Sequence, residues 1–572
     1  MYPVYLTYIF YSLLFLVSFA ACKGTLNENI YIKEFAFGTV FATMIIVAII
    51  QSIKHGKIQI RITWGDVFIS GLVFIYMYFY IGTYNDLDFV LPLIYFLYYC
   101  FMRMQNTKGF QDTIHVLSHI VILVILLHLL FCILQLTGII PSFHPYFPAG
   151  SAFGNPDMLG AYLAVLLPFC YISRIHKIFK FSVLFLGTVL LLLLQARTAI
   201  VATVITGILY MLLSGKINKR QFLKWLVLPF IVVVGLLIWW RPSSFGGRLF
   251  IWFTSLNMMI KKPAGWGLYA FEKHYPELQA EYVTSHDKIS DIFNLDVEHS
   301  PFNEFLNIGV TLGIVGLLLF IAFVMYVLIT AYKIRMPLLF PVCAFLTVSI
   351  SYFPFKIAPL TIICITFMAL IINSSQTKPL FTINIRQKAW LLVPLLFIVP
   401  VLTWNTWNKY SKWQMAVENA QVKEKWHIAD ACFSDVYPAL KGNGRFLITM
   451  SKFRYQMGDT LTAFSLMKEA EQFFCDDVFL KNLALLYEQN GQITEAEILL
   501  HRAANIVPDR FTIAYERILF LQRTGKHQEA YDEAIKLYHK PVKSRRYADP
   551  FIIKTKLRTL IQSYSENNLI IQ

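Results

Sequence analysis

From the N-terminus to about residue 405 the chain is a succession of continuous apolar runs separated by short polar breaks. The runs lie near 4–22, 34–53, 65–81, 88–102, 113–136, 157–175, 178–195, 197–214, 222–240, 304–331, 337–352, 356–373 and 388–404. Most match the roughly 17–25 residues a helix needs to cross a bilayer core, so about thirteen spans are expected. Because the runs are continuous rather than alternating, a membrane β-barrel is excluded. The expected fold class is all-α: a polytopic helix bundle followed by a soluble helical region.

Charge sorts the connecting loops into two sets. One carries Lys54, Lys57 and Arg61, then Arg103 and Lys108, then Arg174, Lys177 and Lys180. It continues with Lys216, Lys219, Arg220 and Lys224, then Lys333 and Arg335, then Lys378, Arg386 and Lys388. The alternate short loops hold only Lys23, Lys33, Arg197 and Lys356. Basic loops stay in the cytoplasm. The N-terminus is therefore expected inside, and both the 241–303 loop and everything after 405 outside. The first run lacks a basic leader and is read as a helix, not a cleaved signal.

Composition agrees. The 572 residues are 57% hydrophobic and 15% charged, against about a quarter charged in soluble proteins, which excludes a soluble enzyme or a disordered chain. The net charge of +16 is accounted for by loop anchoring and does not call for nucleic acid. Cys432 and Cys475 alone among the cysteines sit in polar sequence, and their spacing leaves pairing open.

Beyond 405 the composition becomes soluble and a repeat emerges. Gly458, Gly491 and Gly525 recur at steps of 33 and 34 residues. Ala463, Ala496 and Ala530 follow each glycine at a constant offset, and Ala470, Ala503 and Leu537 follow at a second one. This pattern resembles the tetratricopeptide repeat, in which small residues let paired helices pack closely and stacked units form a solenoid with a concave protein-binding face. The expected organisation is a membrane part over 1–405, a linker or degenerate repeat over 406–443, repeats over 444–541 and a helical cap over 542–572. A protein partner at the repeats is expected.

The long outside loop carries the candidate chemistry. It contains Arg248 and Trp252, one helical turn apart, then Pro263-Ala264-Gly265-Trp266-Gly267, and ends in Glu298-His299-Ser300-Pro301-Phe302-Asn303-Glu304-Phe305-Leu306. Guanidinium groups suit phosphate through their planar fork of donors, and a His at a membrane surface suits a general base. His299 and Asn303 share a face if the next helix starts early. Arg197 lies between two spans with almost no connecting loop, where a charge is costly unless it reaches the interface or meets an anion. The acids Asp86, Asp88, Asp296 and Glu298 read as loop residues and not as a metal site.

Taken in order, several elements over most of 150–330 resemble the O-antigen ligase/polymerase superfamily of lipid-linked glycan transferases. They are Phe153-Gly154-Asn155-Pro156-Asp157 with Gly160, the small-residue–Arg step at Arg197, Arg248 with Trp252, the Pro-x-Gly-x-Gly turn, and Asn303-Glu304-Phe305-Leu306 before a Gly-rich helix. The resemblance implies a bacterial inner-membrane glycosyltransferase of the C type. It would move a glycan from undecaprenyl pyrophosphate to a hydroxyl acceptor, lipid A core or protein, on the periplasmic face, with inversion and without metal or cofactor. A polymerase of the same superfamily is the alternative; a transporter or a repeat-bearing scaffold is the reading from another class. By position, Arg197 and Arg248 would bind the pyrophosphate, with Trp252 and Asn303 also contacting substrate. His299 would take the acceptor proton, although the family commonly places its His closer to the Asn. Glu298 and Glu304 are the fallback carboxylates.

Overall fold

The computed structural model describes residues 4–20, 28–54, 58–81, 83, 85–105, 110–144, 147–215, 235, 242–286, 295–375, 377–385, 389–542 and 549–566. The expected span at 222–240 lies almost wholly outside the described residues.

The chain is nearly all helical. The N-terminal part holds α1 (Val4–Leu16), α2 (Glu28–Lys54), α3 (Trp64–Tyr80), α4 (Asp86–Arg103) and α5 (Phe110–Leu136). Next come α6 (Pro156–Leu166), the short α7 (Phe169–Ile172), α8 (Lys177–Leu193) and α9 (Arg197–Leu213). The expected long loop contains α10 (Pro242–Lys261) and α11 (Tyr275–Ser285). After it the chain runs through α12 (Glu304–Lys333), α13 (Leu339–Ser351), α14 (Ala358–Asn373) and α15 (Ala389–Ala420).

Among the described residues, four helical stretches are long and apolar enough to cross a membrane: Ile32–Ile50, Asp112–Leu136, Glu304–Lys333 and Leu391–Ala420. Other apolar runs form shorter helices, including Trp64–Tyr80, Arg197–Leu213 and Leu339–Ser351. A 13-residue helix rises only about 20 Å, less than a bilayer core of about 30 Å. These shorter pieces pack against their neighbours, α9 against α6 and α13, and α3 along α12. The run at 157–175 breaks ahead of Pro168, which cannot supply a helical N–H, and becomes α6 and α7.

One feature departs from the expected all-α class. Strands β1 (Ile58–Ile62) and β2 (Phe381–Ile385) pair antiparallel, with Ile60 opposite Ile383. Ile-Gln-Ile-Arg-Ile and Phe-Thr-Ile-Asn-Ile both alternate with period two, but each is only five residues long. The Arg61 guanidinium donates to the carbonyls of Ser375 and Thr377 at 3.0 and 2.7 Å. Beside this ribbon Asp66 accepts from Arg103 Nε at 2.7 Å and Nη2 at 2.9 Å, and Arg103 also bonds Asn373. The clamp ties α3, α4 and α14 together at one end of the bundle.

Residue 405, the expected boundary of the membrane part, lies within the unbroken α15. Leu392 and Val399 belong to the core of the bundle and Ala416 to the core of the C-terminal domain. The helix is thus shared by both cores and runs into the stretch expected as a linker or degenerate repeat. The C-terminal domain adds α16 (Trp426–Leu440), α17 (Gly444–Gln456), α18 (Thr460–Ala470), α19 (Asp477–Gln489), α20 (Ile493–Ile506), α21 (Phe511–Arg523), α22 (His527–His539) and α23 (Asp549–Glu566). The pairs α17/α18, α19/α20 and α21/α22 each turn at a glycine with positive φ: +86° at Gly458, +76° at Gly491 and +80° at Gly525. Ala463, Ala496 and Ala530 are fully buried where each second helix meets its partner. Cys432 and Cys475 are both free thiols.

The long loop is docked on the bundle by backbone. In α12, Gly313 (φ +76°, ψ −178°) interrupts the helix and releases main-chain groups that a continuous helix would use. The amides of Trp266 and Gly267 donate to the carbonyls of Val310 and Thr311 at 2.8 and 3.0 Å, and Ile314 N–H donates to Pro263 O at 2.9 Å. A Cβ on Gly313 would stand 2.5 Å from the Ala264 carbonyl carbon, and one on Gly265 would stand 2.7 Å from Gly313 N. Neither backbone can retreat. Gly313→Ala is expected to cost about 1–3 kcal/mol through strain and clash. Hydrogen exchange checks this: the Trp266 and Gly267 amides should exchange faster, while the Arg103 end of the bundle should keep its protection.

Candidate functional site

Arg197 is placed by close helix packing. Its neighbour Ala196 is buried, and a Cβ on Gly160 of α6 would stand 2.4 Å from the Ala196 Cβ. α6 is itself started by Asn155, whose side chain accepts from Asp157 N–H at 2.8 Å with Pro156 at the first helical position. The small residues beside Arg197 thus let the start of α9 pack closely on α6. Arg197 is the first residue of α9. A cation at the positive end of a helix dipole is disfavoured by about 0.3–1 kcal/mol unless an anion joins it.

Arg248 reaches the same place from α10. Its guanidinium carbon lies 5.4 Å from the centre of the Phe302 ring. One turn on, Trp252 Nε1 donates to the Pro301 carbonyl at 2.9 Å. The two residues therefore share a helical face, and both bear on the segment leading into α12. Burial, and then the positive charge of Arg197, lower the Arg248 pKa, opposed by Asp157, Glu298 and Tyr352. Two guanidinium groups feel each other here. Among the described residues, no carboxylate forms an ion pair with Arg248.

Asn303 caps α12, its Oδ1 accepting from the amides of Phe305 and Leu306 at 3.0 and 3.1 Å. Glu304, 2% exposed, accepts from Phe355 N–H at 3.1 Å and from Asn307 Nδ2 at 3.2 Å, fastening the Pro354–Lys356 turn to the helix start. Trp252 and Asn303 thus use the polar groups expected to meet substrate to hold the loop.

Burial and Asp296 push the Glu298 carboxyl up to about 7, against the pull of Arg248. The His299 ring centre lies 5.6 Å from that of Phe474 in the C-terminal domain, and its carbonyl accepts from Lys356 Nζ at 3.4 Å. Burial, then Arg445, then Lys356, hold the imidazole down at about 4. It is neutral at pH 7. Its Nδ1 is buried and carries no hydrogen bond among the described residues. The structure therefore gathers Arg197 and Arg248 with Asp157, Glu298 and Tyr352, and sets the His299 ring beside Phe474, Arg445 and Lys356.

Sequence reasoning passed over Asp157, Tyr352, Lys356 and Arg445 as members of this neighbourhood. Asp157 lay inside a quoted motif, but its meeting with Arg248 depends on a contact across the fold. The remaining acids are engaged elsewhere: Asp86 pairs with Lys409, Asp88 accepts from Tyr269 at 3.0 Å, and Asp296 pairs with Arg510 at 2.7 Å.

A model of the O-antigen ligase family matches residues 182–321, a segment that includes Arg197, Arg248, Trp252, His299 and Asn303. No curated protein matches the chain. The match supports a membrane transferase of the O-antigen ligase superfamily, with lipid-linked glycan as the implied class of substrate.

The Glu298 carboxyl makes a pH prediction. Its charge is lost as pH falls through about 7, which leaves the arginine pair less neutralised. Binding of a lipid pyrophosphate diester, whose own charge is constant in that range, should tighten severalfold from pH 8 to pH 6. Titration calorimetry on the reconstituted protein measures it, and Glu298→Gln should flatten the dependence.

Proposed function

We propose that the chain is an O-antigen ligase-type glycosyltransferase. It transfers a glycan from undecaprenyl pyrophosphate to a hydroxyl on lipid A core or protein, at the periplasmic face of a bacterial inner membrane. The observation that carries this reading is the position of Arg248, which stands over the Phe302 ring and feels the charges of Arg197, Asp157 and Glu298, within the segment that the O-antigen ligase family model matches. In this reading about thirteen spans enclose the polyprenyl tail, the N-terminus is cytoplasmic, and the C-terminal hairpins are tetratricopeptide repeats on the outer side.

The chemistry asks little beyond placement. The acceptor oxygen attacks the anomeric carbon from the face opposite the pyrophosphate, and the bond from that carbon to the leaving oxygen breaks. The electron pair leaves with the lipid diphosphate, whose growing charge Arg197 and Arg248 stabilise. The acceptor proton passes to the neutral His299 imidazole. Single displacement inverts the anomeric centre, and alignment of donor and acceptor supplies much of the acceleration. A polymerase would use the same steps. The helical hairpins packed on the loop favour a ligase, because they offer a surface for an acceptor that is not itself polyprenyl-linked.

Reconstitution with a defined undecaprenyl-pyrophosphate glycan and candidate acceptors, read by product mass, tests the proposal. Arg248→Ala and Arg197→Ala should each lower transfer at least about 100-fold at matched protein levels. Transfer that survives both substitutions would refute the assignment.

A further inference from the structure

The C-terminal helical domain touches the loop that carries His299 at several separate points. Cys475 N–H donates to the Glu272 carbonyl at 2.7 Å, continuing the main-chain bonding of the loop into the domain. Gln279, 1% exposed, donates through Nε2 to the Ile506 carbonyl at 2.7 Å. Arg502 pairs with Glu277 at 3.0 Å. Arg510 bridges Asp477, a fully buried carboxylate of its own domain at 2.6 Å, and Asp296 of the loop at 2.7 Å. Asp296 is three residues before His299, and the domain also supplies the Phe474 ring and the Arg445 charge that face the imidazole.

A platform that only docks an acceptor would need none of this. Its natural place would be beside the site, joined by one hinge. Here the connection α15 is an unbroken helix, and the far side of the domain's first hairpins closes over the returning strand of the loop. An isolated surface ion pair contributes little, but Arg510 is partly buried and anchored by Asp477, so the position it gives Asp296 is well defined.

We propose that the C-terminal domain is part of the transfer site itself: Arg445 and Phe474 wall the His299 imidazole, and Arg510 latches its loop through Asp296. Arg445, Arg510 and Asp296 are positioning residues, since they act through His299. The proposal rests on the reading of His299 as proton acceptor. The charged groups around the imidazole are Arg445 on α17, Lys356 on the turn before α14, Glu272 paired with Arg445 at 3.5 Å, and the adjacent Glu298. Removing the Arg445 charge should let the imidazole protonate more easily. Releasing the latch should expose it to water and act in the same direction.

The test uses the full chain in lipid nanodiscs, with a defined undecaprenyl-pyrophosphate glycan and the acceptor on which the wild type is active. Arg445→Gln and Asp296→Asn should lower kcat about threefold on the acid side of the pH profile, with KM for the donor unchanged. Both should move the acid limb of the kcat–pH profile upward, on the order of half a pH unit for the lost Arg445 charge. Arg445→Lys keeps the charge and should keep the profile, which separates a tuned imidazole from a damaged fold. Wild-type kcat and profile in both neutral variants, in preparations where Arg248→Ala abolishes transfer, would overturn this inference and leave the proposed function standing. Persistence of transfer in Arg248→Ala would instead overturn the proposed function, and this inference with it.

Discussion

The structure turns on a helix that is broken once. At Gly313 the chain of α12 leaves helical geometry, and the main-chain groups set free there are taken up by the Pro263–Gly267 turn. Backbone hydrogen bonds of this kind are directional, and a buried one left unmade costs more than a made one contributes. The turn is therefore held in one register. From it α10 extends back to carry Arg248, and the chain ahead of α12 returns to receive the Trp252 indole. Packing of Ile251, Met258, Phe271, Tyr275 and Val310 fills the space between.

Electrostatics then decides what such a scaffold is for. A folded chain normally pairs its half-buried cations with carboxylates, as Arg103 does with Asp66 at the opposite end of the bundle. There the guanidinium is satisfied on all sides and reads as structural. Arg248 stands instead over an aromatic ring and near a second arginine, with Glu298 raised toward neutrality. The contrast between the two ends of one bundle is what favours the proposal of an anion site at Arg248.

Much of this was legible in the sequence because it was written in period and type. Continuous apolar runs gave the helices of the bundle, glycines at steps of 33 and 34 residues gave the hairpins after α16, and an arginine between two apolar runs with another in the one long loop gave the candidate site. Lengths were less legible. Hydropathy counts apolar residues and does not fix where a helix starts and stops, so α9 and α13 are shorter than the helices at Asp112–Leu136 and Glu304–Lys333. The ribbon of β1 and β2 was hidden because its strands are brief and lie more than 300 residues apart, beyond the reach of any local pattern. The partners of His299 were hidden for the same reason. Arg445 and Phe474 look like ordinary residues of a helical repeat until the domain is folded back on the loop.

That return of the domain resolves a difficulty in the sequence reading. His299 stands four residues before Asn303, farther back than the resemblance to O-antigen ligases and polymerases implies, and its ring lies beside Phe474 of the C-terminal domain. Asn303 is committed to capping, and Glu304 to the Phe355 amide. An imidazole set that far back needs another wall. The C-terminal domain provides one, and α15, helical from Ala389 to Ala420, leads into it. In the proposed site the set-back His and the docked domain are two halves of one arrangement, in which Phe474 and Arg445 stand beside the ring.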